Sequence, residues 1–580
     1  MHFSLIIPLL VLFVVVMTQG PTEAPRVLLG PVFQAPRGLD TNIGFLSASS
    51  QLSRHLEDVL SSGASPFGSF TRDATSVSIS MVSAAQESPL FEFQYTSSLL
   101  NVTANGTRKV SGDSIFRIGS ISKLLTVYAL LLKSGLVHWE RPVTDYIPEL
   151  RHNTGQPRDK DGINRVQWEE VTVGSLASHM SGIGRDYSSS DLSTFPLPWT
   201  ELGLPQLAAA DIPACGGDKV QPPCTRKEYF QGFLKRHPVF SPQSTPIYSN
   251  TAFRLLSYVL ETTAGDSFEN IMERDVFQDL GMTHTSVRKP QDDSLGVIPE
   301  GDSMWAFDDG DEAPSGGIYS TSSDLTKLAR SILSNTRLSP SVTRRWLKPL
   351  AHTSALTLSI GAPWEIWRTK GNTTIELYTK AGGIGLYSSL LILIPDFDIA
   401  IAIMTAGPNG SVVNSVAEIV MQIFIPVLKQ AARDEAAANF AGHYVSNSGT
   451  DSSVVLGVRN GPGLVIEKWL SNGSDLLATA QAYSQATNSG IIGSVRLYPT
   501  TLVQESGAGK RVAYRAIFDT VKEAETADRV FEESLNAWAK VDQTMYGRVG
   551  VDEFVFDLDA SGVAICVEPQ FLGIRLTKVL

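Results

Sequence analysis

Two stretches near the start of the chain alternate apolar and polar residues, Ser76–Val82 (SVSISMV) and Leu90–Thr96 (LFEFQYT), and predict two strands joined by a turn. The apolar run after Ser120 (LLTVYALLL) predicts a helix through Lys133, closed by Gly135 in the position of a C-cap. Residues 136–240 read as mostly helical and loop-rich, with a polar insertion from about Arg185 to Thr225, and a further helix fits Thr251–Thr263. Ile375–Thr379 is strand-like. Tyr387–Ile394 and Ile399–Thr405 flank Pro395-Asp396-Phe397-Asp398 as an antiparallel hairpin. Val413, Val416, Val420, Ile423 and Val427 then recur at helical spacing and predict an amphipathic helix over the sheet, with Ala-rich residues 431–439 as a connector. Beyond residue 440 the pattern changes to short alternating runs separated by Gly, Asn and Asp: Leu464–Leu470, Val495–Tyr498, Val512–Phe518, Glu553–Leu558 and Val563–Val567. Residues 440–580 therefore predict a separate, all-β domain.

The N-terminal pattern differs again. Phe3–Met17 is almost wholly apolar, yet it falls short of the roughly 20 residues a bilayer-spanning helix needs, and Pro8 interrupts it. Residues 1–20 read as a secretory signal peptide, with an uncleaved anchor as the alternative because the segment before the apolar run carries no Lys or Arg. A secreted protein without stable membrane insertion after cleavage is the expectation. Residues 21–69 are expected to be an extended segment, its first thirty positions rich in Pro, Gly and Ser, and residues 70–435 one large domain.

Composition narrows the function classes. Of 580 residues, 43 % are hydrophobic, enough for a sizeable core, while only 18 % are charged and the net charge is −12. An acidic chain without long Lys/Arg runs does not have the footprint of a nucleic-acid binder. Asn-x-Ser/Thr sequons at Asn101, Asn105, Asn372, Asn409 and Asn472 agree with export as a glycoprotein. Three cysteines are too few for a disulfide scaffold. Cys215 and Cys224 bracket a Gly/Pro-rich loop that one local disulfide would close, which leaves Cys566 as a buried thiol in an apolar strand. Neither a CxxC pair nor an HExxH occurs, so no metal is expected.

The candidate chemistry begins at Ser120-Ile121-Ser122-Lys123. Residues three apart share a helix face, so the Lys123 amine can reach the Ser120 hydroxyl. A desolvated lysine can take a serine proton, and the helix N-terminus favours the negative charge that develops. Ser286-Val287-Arg288-Lys289 has the same spacing, but Pro290 follows at once and no apolar helix succeeds it. Tyr248-Ser249-Asn250 lies in a polar turn before an apolar helix, and of fifteen tyrosines only Tyr248 has Asn two residues on. Lys380-Ala381-Gly382-Gly383 follows a strand, and its glycines permit close backbone approach to a ligand. No Gly-x-Ser-x-Gly elbow occurs, which argues against an α/β-hydrolase.

The order Ser-x-x-Lys, Tyr-x-Asn, Lys-x-Gly resembles the active-site serine family of class C β-lactamases, D-Ala-D-Ala carboxypeptidases and related esterases. Phe116-Arg117-Ile118-Gly119, the stretch Pro142–Pro148, Ser178-His179-Met180-Ser181-Gly182 and Gly316–Thr321 (GGIYST) are similar to the same family, so the resemblance spans roughly residues 70–430. It implies an α/β (α+β) domain with an antiparallel sheet flanked by helices, and no cofactor. It also implies roles: Ser120 as acylated nucleophile, Lys123 and Tyr248 as proton shuttle, and Asn250 as a substrate ligand that orients Lys123. Lys380 would hold Tyr248 electrostatically and attract a substrate carboxylate, and the N–H groups of Ser120 and Gly383 would form the oxyanion hole. His179 is expected to be structural. Ala381 stands where the family usually has Thr, which puts antibiotic hydrolysis in doubt. The insertion near Cys215–Cys224 and the appended β domain resemble secreted fungal β-lactamase-like proteins. The expected function is a serine hydrolase acting on a small-molecule ester or amide; the alternatives are an acyltransferase of secondary metabolism and a catalytically idle binding homologue.

Overall fold

The computed structural model describes residues 30–579 except 70, 73, 103–105, 152–160, 190, 217–220, 302, 371–372, 508 and 521–535. The expected signal peptide, residues 1–20, and the sequons at Asn105 and Asn372 lie outside the described residues. The chain divides into two compact units, Gln34–Glu435 and a second one that begins at Ala436 and also takes in the residues up to Phe33.

The first unit is built on an antiparallel sheet. Its strands are β1 (Ser76–Ser83), β2 (Phe91–Tyr95), β3 (Ala351–His352), β4 (Leu358–Ile360), β5 (Glu365–Arg368), β6 (Glu376–Ile384), β7 (Tyr387–Ile394) and β8 (Ile399–Ala406), in the spatial order β2-β1-β8-β7-β6-β5-β4-β3. Every neighbouring pair is antiparallel. The hairpin β7–β8 keeps the predicted turn, which passes through Asp398 in the left-handed region at φ 53°. Both faces of β1 and β8 are buried: β8 is almost continuously apolar, while β1 keeps its alternation by placing small serines on its second face.

Helices cover the sheet. α1 (Ile43–Ser62) lies within the segment 21–69 that was expected to be extended, and this corrects that expectation. Asn42 caps its start by accepting the Phe45 N–H, Gly63 ends it in the left-handed region, and Phe45, Ala48, Leu52, Leu56 and Val59 form a buried stripe at helical period. The serines on its outer face mask that stripe in a composition-based reading. α2 (Ser122–Ser134) is buried from Ser122 to Leu131, as an all-round apolar helix must be. α3 (Thr251–Ala264) matches the predicted helix closely, and α4 (Ser322–Leu333) packs on β1 and β8.

Residues 136–240 are less helical than expected. Among the described residues only Val173–Ala177 and Arg226–Phe233 are α-helical, joined by short 3-10 turns and loops, and the Cys215–Cys224 disulfide is formed. α5 (Val412–Phe440) absorbs the Ala-rich stretch 431–439, which is therefore helix rather than connector. By length and composition α5 is apolar enough to cross a membrane, but Val412, Val416, Val420, Phe424 and Leu428 are buried in the unit. Phe424 stacks on Phe45 of α1 at 5.2 Å and meets Phe91 of β2 edge-on at 5.6 Å.

The second unit is sheet-rich, with a helix at Leu476–Ala486 that the all-β expectation did not include. All pairings are antiparallel, and Ser453–Gly457 pairs with both Gly442–Ser446 and Leu464–Ser471. From Gly442–Ser446 the ring continues through Leu576–Val579, Ala564–Pro569, Glu553–Leu558, Gly509–Thr520 and Ile492–Ser506 back to Leu464–Ser471, a closed barrel. Tyr444, Leu497, Tyr514, Phe554 and Phe556 fill it, and Cys566 is a buried free thiol.

Phe45 is the aromatic link between α1 and α5. Phe45→Ala is expected to cost about 3–5 kcal/mol, measured by urea denaturation; a loss below about 1 kcal/mol would show that α1 contributes little to this unit.

Candidate active site

Ser120 lies in a 3-10 turn (Gly119–Ile121) that runs directly into α2. The turn is held from both sides. Ile118 N–H donates to Ile318 O at 3.0 Å, and Ser389 Oγ of β7 donates to Ile118 O at 2.7 Å. The buried Arg117 guanidinium donates to Met304 O at 2.6 Å and Phe307 O at 3.0 Å and pairs with Asp309. The Phe116–Arg117 strand pairs with Tyr319–Ser320, so the Phe-Arg-Ile-Gly and Gly-Gly-Ile-Tyr-Ser-Thr phrases form one support for the serine.

The Lys123 amine is fully buried and makes three hydrogen bonds: to Ser120 Oγ at 3.1 Å, Asn250 Oδ1 at 2.7 Å and Ser315 O at 2.5 Å. Burial in the apolar helix lowers its pKa to about 8, partly opposed by the nearby Tyr248 phenol. Tyr248 OH lies 2.5 Å from Ser120 Oγ. Burial alone would raise the Tyr248 phenol, but the charges of Lys123 and Lys380 outweigh it and hold the phenol below its usual range. Three cations surround the ring, with Lys123 and Arg185 each 4.9 Å and Lys380 5.4 Å from its centroid.

His179 has the structural place expected for it. Its ring stacks on Tyr248 at 4.6 Å, and its Nδ1 accepts the Ser249 N–H at 3.1 Å. Burial, then the Lys123 and Lys380 charges, hold its pKa well below the ordinary value, so the neutral ring with its proton on Nε2 is the form that fits. Asn250 is oriented by Asp186, whose Oδ1 accepts from Nδ2 at 2.6 Å, leaving the amide oxygen for Lys123.

The glycines bring β6 against the serine turn. A Cβ on Gly119 would overlap Gly383 N, and one on Gly382 would overlap Ile118 O and lie 2.9 Å from Ser120 N. The Gly383 backbone therefore lies beside the serine turn, and the residue is exposed. Lys380, on the same strand, is buried. Its ammonium is 2.5 Å from Glu365 Oε1, and the Ala381 N–H donates to Glu365 Oε2 at 3.0 Å. Lys380 is expected to attract a substrate carboxylate, and in the structure its ammonium is paired with a carboxylate of the chain itself, that of Glu365.

All six expected side chains and backbone groups converge on one place. Sequence reasoning missed Glu365, Asp186 and the Ser315 carbonyl. Asp186 and Ser315 adjoin the quoted phrases at 178–182 and 316–321, which is the available signal; Glu365 has none within a single sequence. Among the described residues, no group of three or more His, Cys, Asp or Glu could hold a metal ion.

Comparison with known proteins shows the family. Residues 100–422 match the family model described as Beta-lactamase, more than half of the chain. The chain belongs to the beta-lactamase family. Residues 432–580 match a second model, described as Beta-lactamase-like-like, C-terminal domain. A "Beta-lactamase-like protein" of Arthroderma benhamiae is 31 % identical over 94 % of both chains. "Probable hydrolase clz13" of Cochliobolus lunatus is 26 % identical over 92 % of this chain and 89 % of its own, and "Probable hydrolase M10" of a Phoma species 28 % identical over 76 % and 73 %. Beta-lactamase-family membership together with these relatives places the protein among hydrolases of the beta-lactamase fold.

The close approach of β6 makes a direct prediction. Gly382→Ala is expected to cost about 1–3 kcal/mol, because backbone rather than a flexible side chain must yield. Gly162→Ala, where a Cβ meets open space, serves as the neutral control in the same denaturation series.

Proposed function

We propose that the protein is a secreted serine hydrolase that cleaves a small-molecule ester or amide through an acyl-enzyme on Ser120. The observation that carries this reading is the convergence of Tyr248 OH and Lys123 Nζ on the single oxygen Ser120 Oγ, at 2.5 and 3.1 Å. A charged Lys123 uses all its donors on Ser120, Asn250 and Ser315. On losing a proton it keeps the latter two and turns its lone pair toward the serine hydroxyl.

In the acylation step, Ser120 Oγ attacks the carbonyl carbon while its proton passes to the Lys123–Tyr248 pair. The oxyanion is held by the N–H groups of Ser120 and Gly383. The tetrahedral adduct expels the alcohol or amine, which takes the proton from the pair. Water, deprotonated by the same pair, then attacks the acyl carbon and restores the Ser120 hydroxyl. Asn250 orients Lys123 and offers its amide to the substrate. Lys380 contributes by its charge near the Tyr248 ring, favouring the phenolate. Export is supported by the apolar pattern of Phe3–Met17 and by the Cys215–Cys224 disulfide, since such bonds persist in oxidising compartments.

Intact-mass analysis after treatment with a fluorophosphonate is expected to show one adduct that Ser120→Ala lacks. The same substitution should lower kcat/KM for a p-nitrophenyl ester by about 10^4-fold or more. An adduct that persists in Ser120→Ala places the reactive serine elsewhere and overturns the reading.

The pH dependence follows from the Lys123 amine. The base form is needed and its folded pKa is about 8, so acylation should rise with pH through about 8, falling about tenfold per unit well below it. Stopped-flow acylation rates from pH 6 to 9.5 test this, and a rate flat across that range argues against Lys123 as part of the base.

A further inference from the structure

Glu365 opens β5, and the register of β5 with β6 sets it opposite Thr379, next to Lys380 in the chain. Its two carboxylate oxygens divide their work: Oε1 takes the Lys380 ammonium at 2.5 Å, and Oε2 takes the Ala381 N–H at 3.0 Å. The remaining close polar partner of Lys380 Nζ is the Ala381 carbonyl at 2.8 Å. Lys380 is 1 % exposed and Glu365 27 % exposed, so the glutamate is the more solvent-accessible member of the pair. The middle position of the Lys-x-Gly turn is Ala381, which adds no hydroxyl.

We propose that Glu365 is a specificity residue that fills the anion subsite from within, and that the substrate of this protein is a neutral ester or amide with no carboxylate on the side that faces β5 and β6. This rests on the reading of Ser120 as the nucleophile. An incoming carboxylate finds the Lys380 ammonium and the Ala381 N–H already engaged by a carboxylate of the chain. It must either displace a short, partly buried ion pair or settle beside a like charge. A neutral group meets neither obstacle. The pair also holds Lys380 in place beside the Tyr248 ring, where its charge favours the phenolate.

The test uses two aryl phenylacetates matched in size, one with a 3-carboxyphenyl and one with a 3-carbamoylphenyl leaving group, on the full chain. Wild type is expected to prefer the carbamoyl ester. In Glu365→Gln, which keeps the shape and removes the charge, the ratio of kcat/KM for carboxyphenyl over carbamoylphenyl ester should rise by about tenfold or more. Glu365→Ala should move the ratio the same way, and it keeps the proposal testable if the glutamine variant fails to fold. The shift in ratio should shrink with added salt, as a charge effect does at a partly exposed site and a packing effect does not. Fluorophosphonate labelling of Ser120 accompanies each assay. Labelled wild type with a ratio unmoved in every folded variant overturns the role of Glu365 alone. Wild type without label at Ser120 overturns both this proposal and the reading beneath it.

Discussion

The site depends on one burial. Lys123 enters the protein interior on the first turn of a helix that is apolar on every side, and its amine is fully removed from water. Lowering its pKa from 10.5 to about 8 costs on the order of 3 kcal/mol of stability at neutral pH, because the unfolded chain holds that proton more firmly. The cost disappears as pH rises from about 8 through the unfolded value. The protein bears it by giving the amine three acceptors, and those acceptors come from three distant stretches: Ser120, Asn250 and Ser315. The geometry of the cleft thus follows from satisfying one desolvated nitrogen.

Around that nitrogen the charges are layered. The Tyr248 ring lies among Lys123, Lys380 and Arg185, and His179 stacks on it, its charged form disfavoured first by burial and then by the same cations. A neutral imidazole adds a flat partner without adding to the positive field. Glu365 and Asp186 complete the layer from outside: the first balances Lys380, and the second fixes which end of the Asn250 amide faces the lysine.

Much of this was legible in the sequence because its signals are local. The Ser120/Lys123 spacing, the Tyr248/Asn250 pair and the glycines after Lys380 each encode their own geometry, and the β7–β8 hairpin is written in its turn. What was not legible depends on packing between distant segments. The helix Ile43–Ser62 was hidden by its serine-rich outer face, although its buried stripe has a clear period. Glu365 is an ordinary acidic residue at the start of a strand until the register of β5 on β6 puts it beside Lys380. The Ala-rich run 431–439 reads as a connector because it lacks an apolar stripe of large residues, yet alanine is the strongest helix former and the helix simply continues through it. The closure of the C-terminal strands into a ring depends on Ser453–Gly457 finding a second partner, which no single strand announces.

The position of β1 sets where this chain tolerates shortening. The family match begins at residue 100, but Ser76–Ser83 is an interior strand that zips along the full length of Ile399–Ala406. A fragment trimmed to the match would bare eight residues of hydrophobic main chain, from Ile399 to Ala406, as an open edge. Such an edge invites another copy to complete the ladder, so fragments that start at residue 100 should be more prone to self-associate than chains that keep Ser76–Ser83.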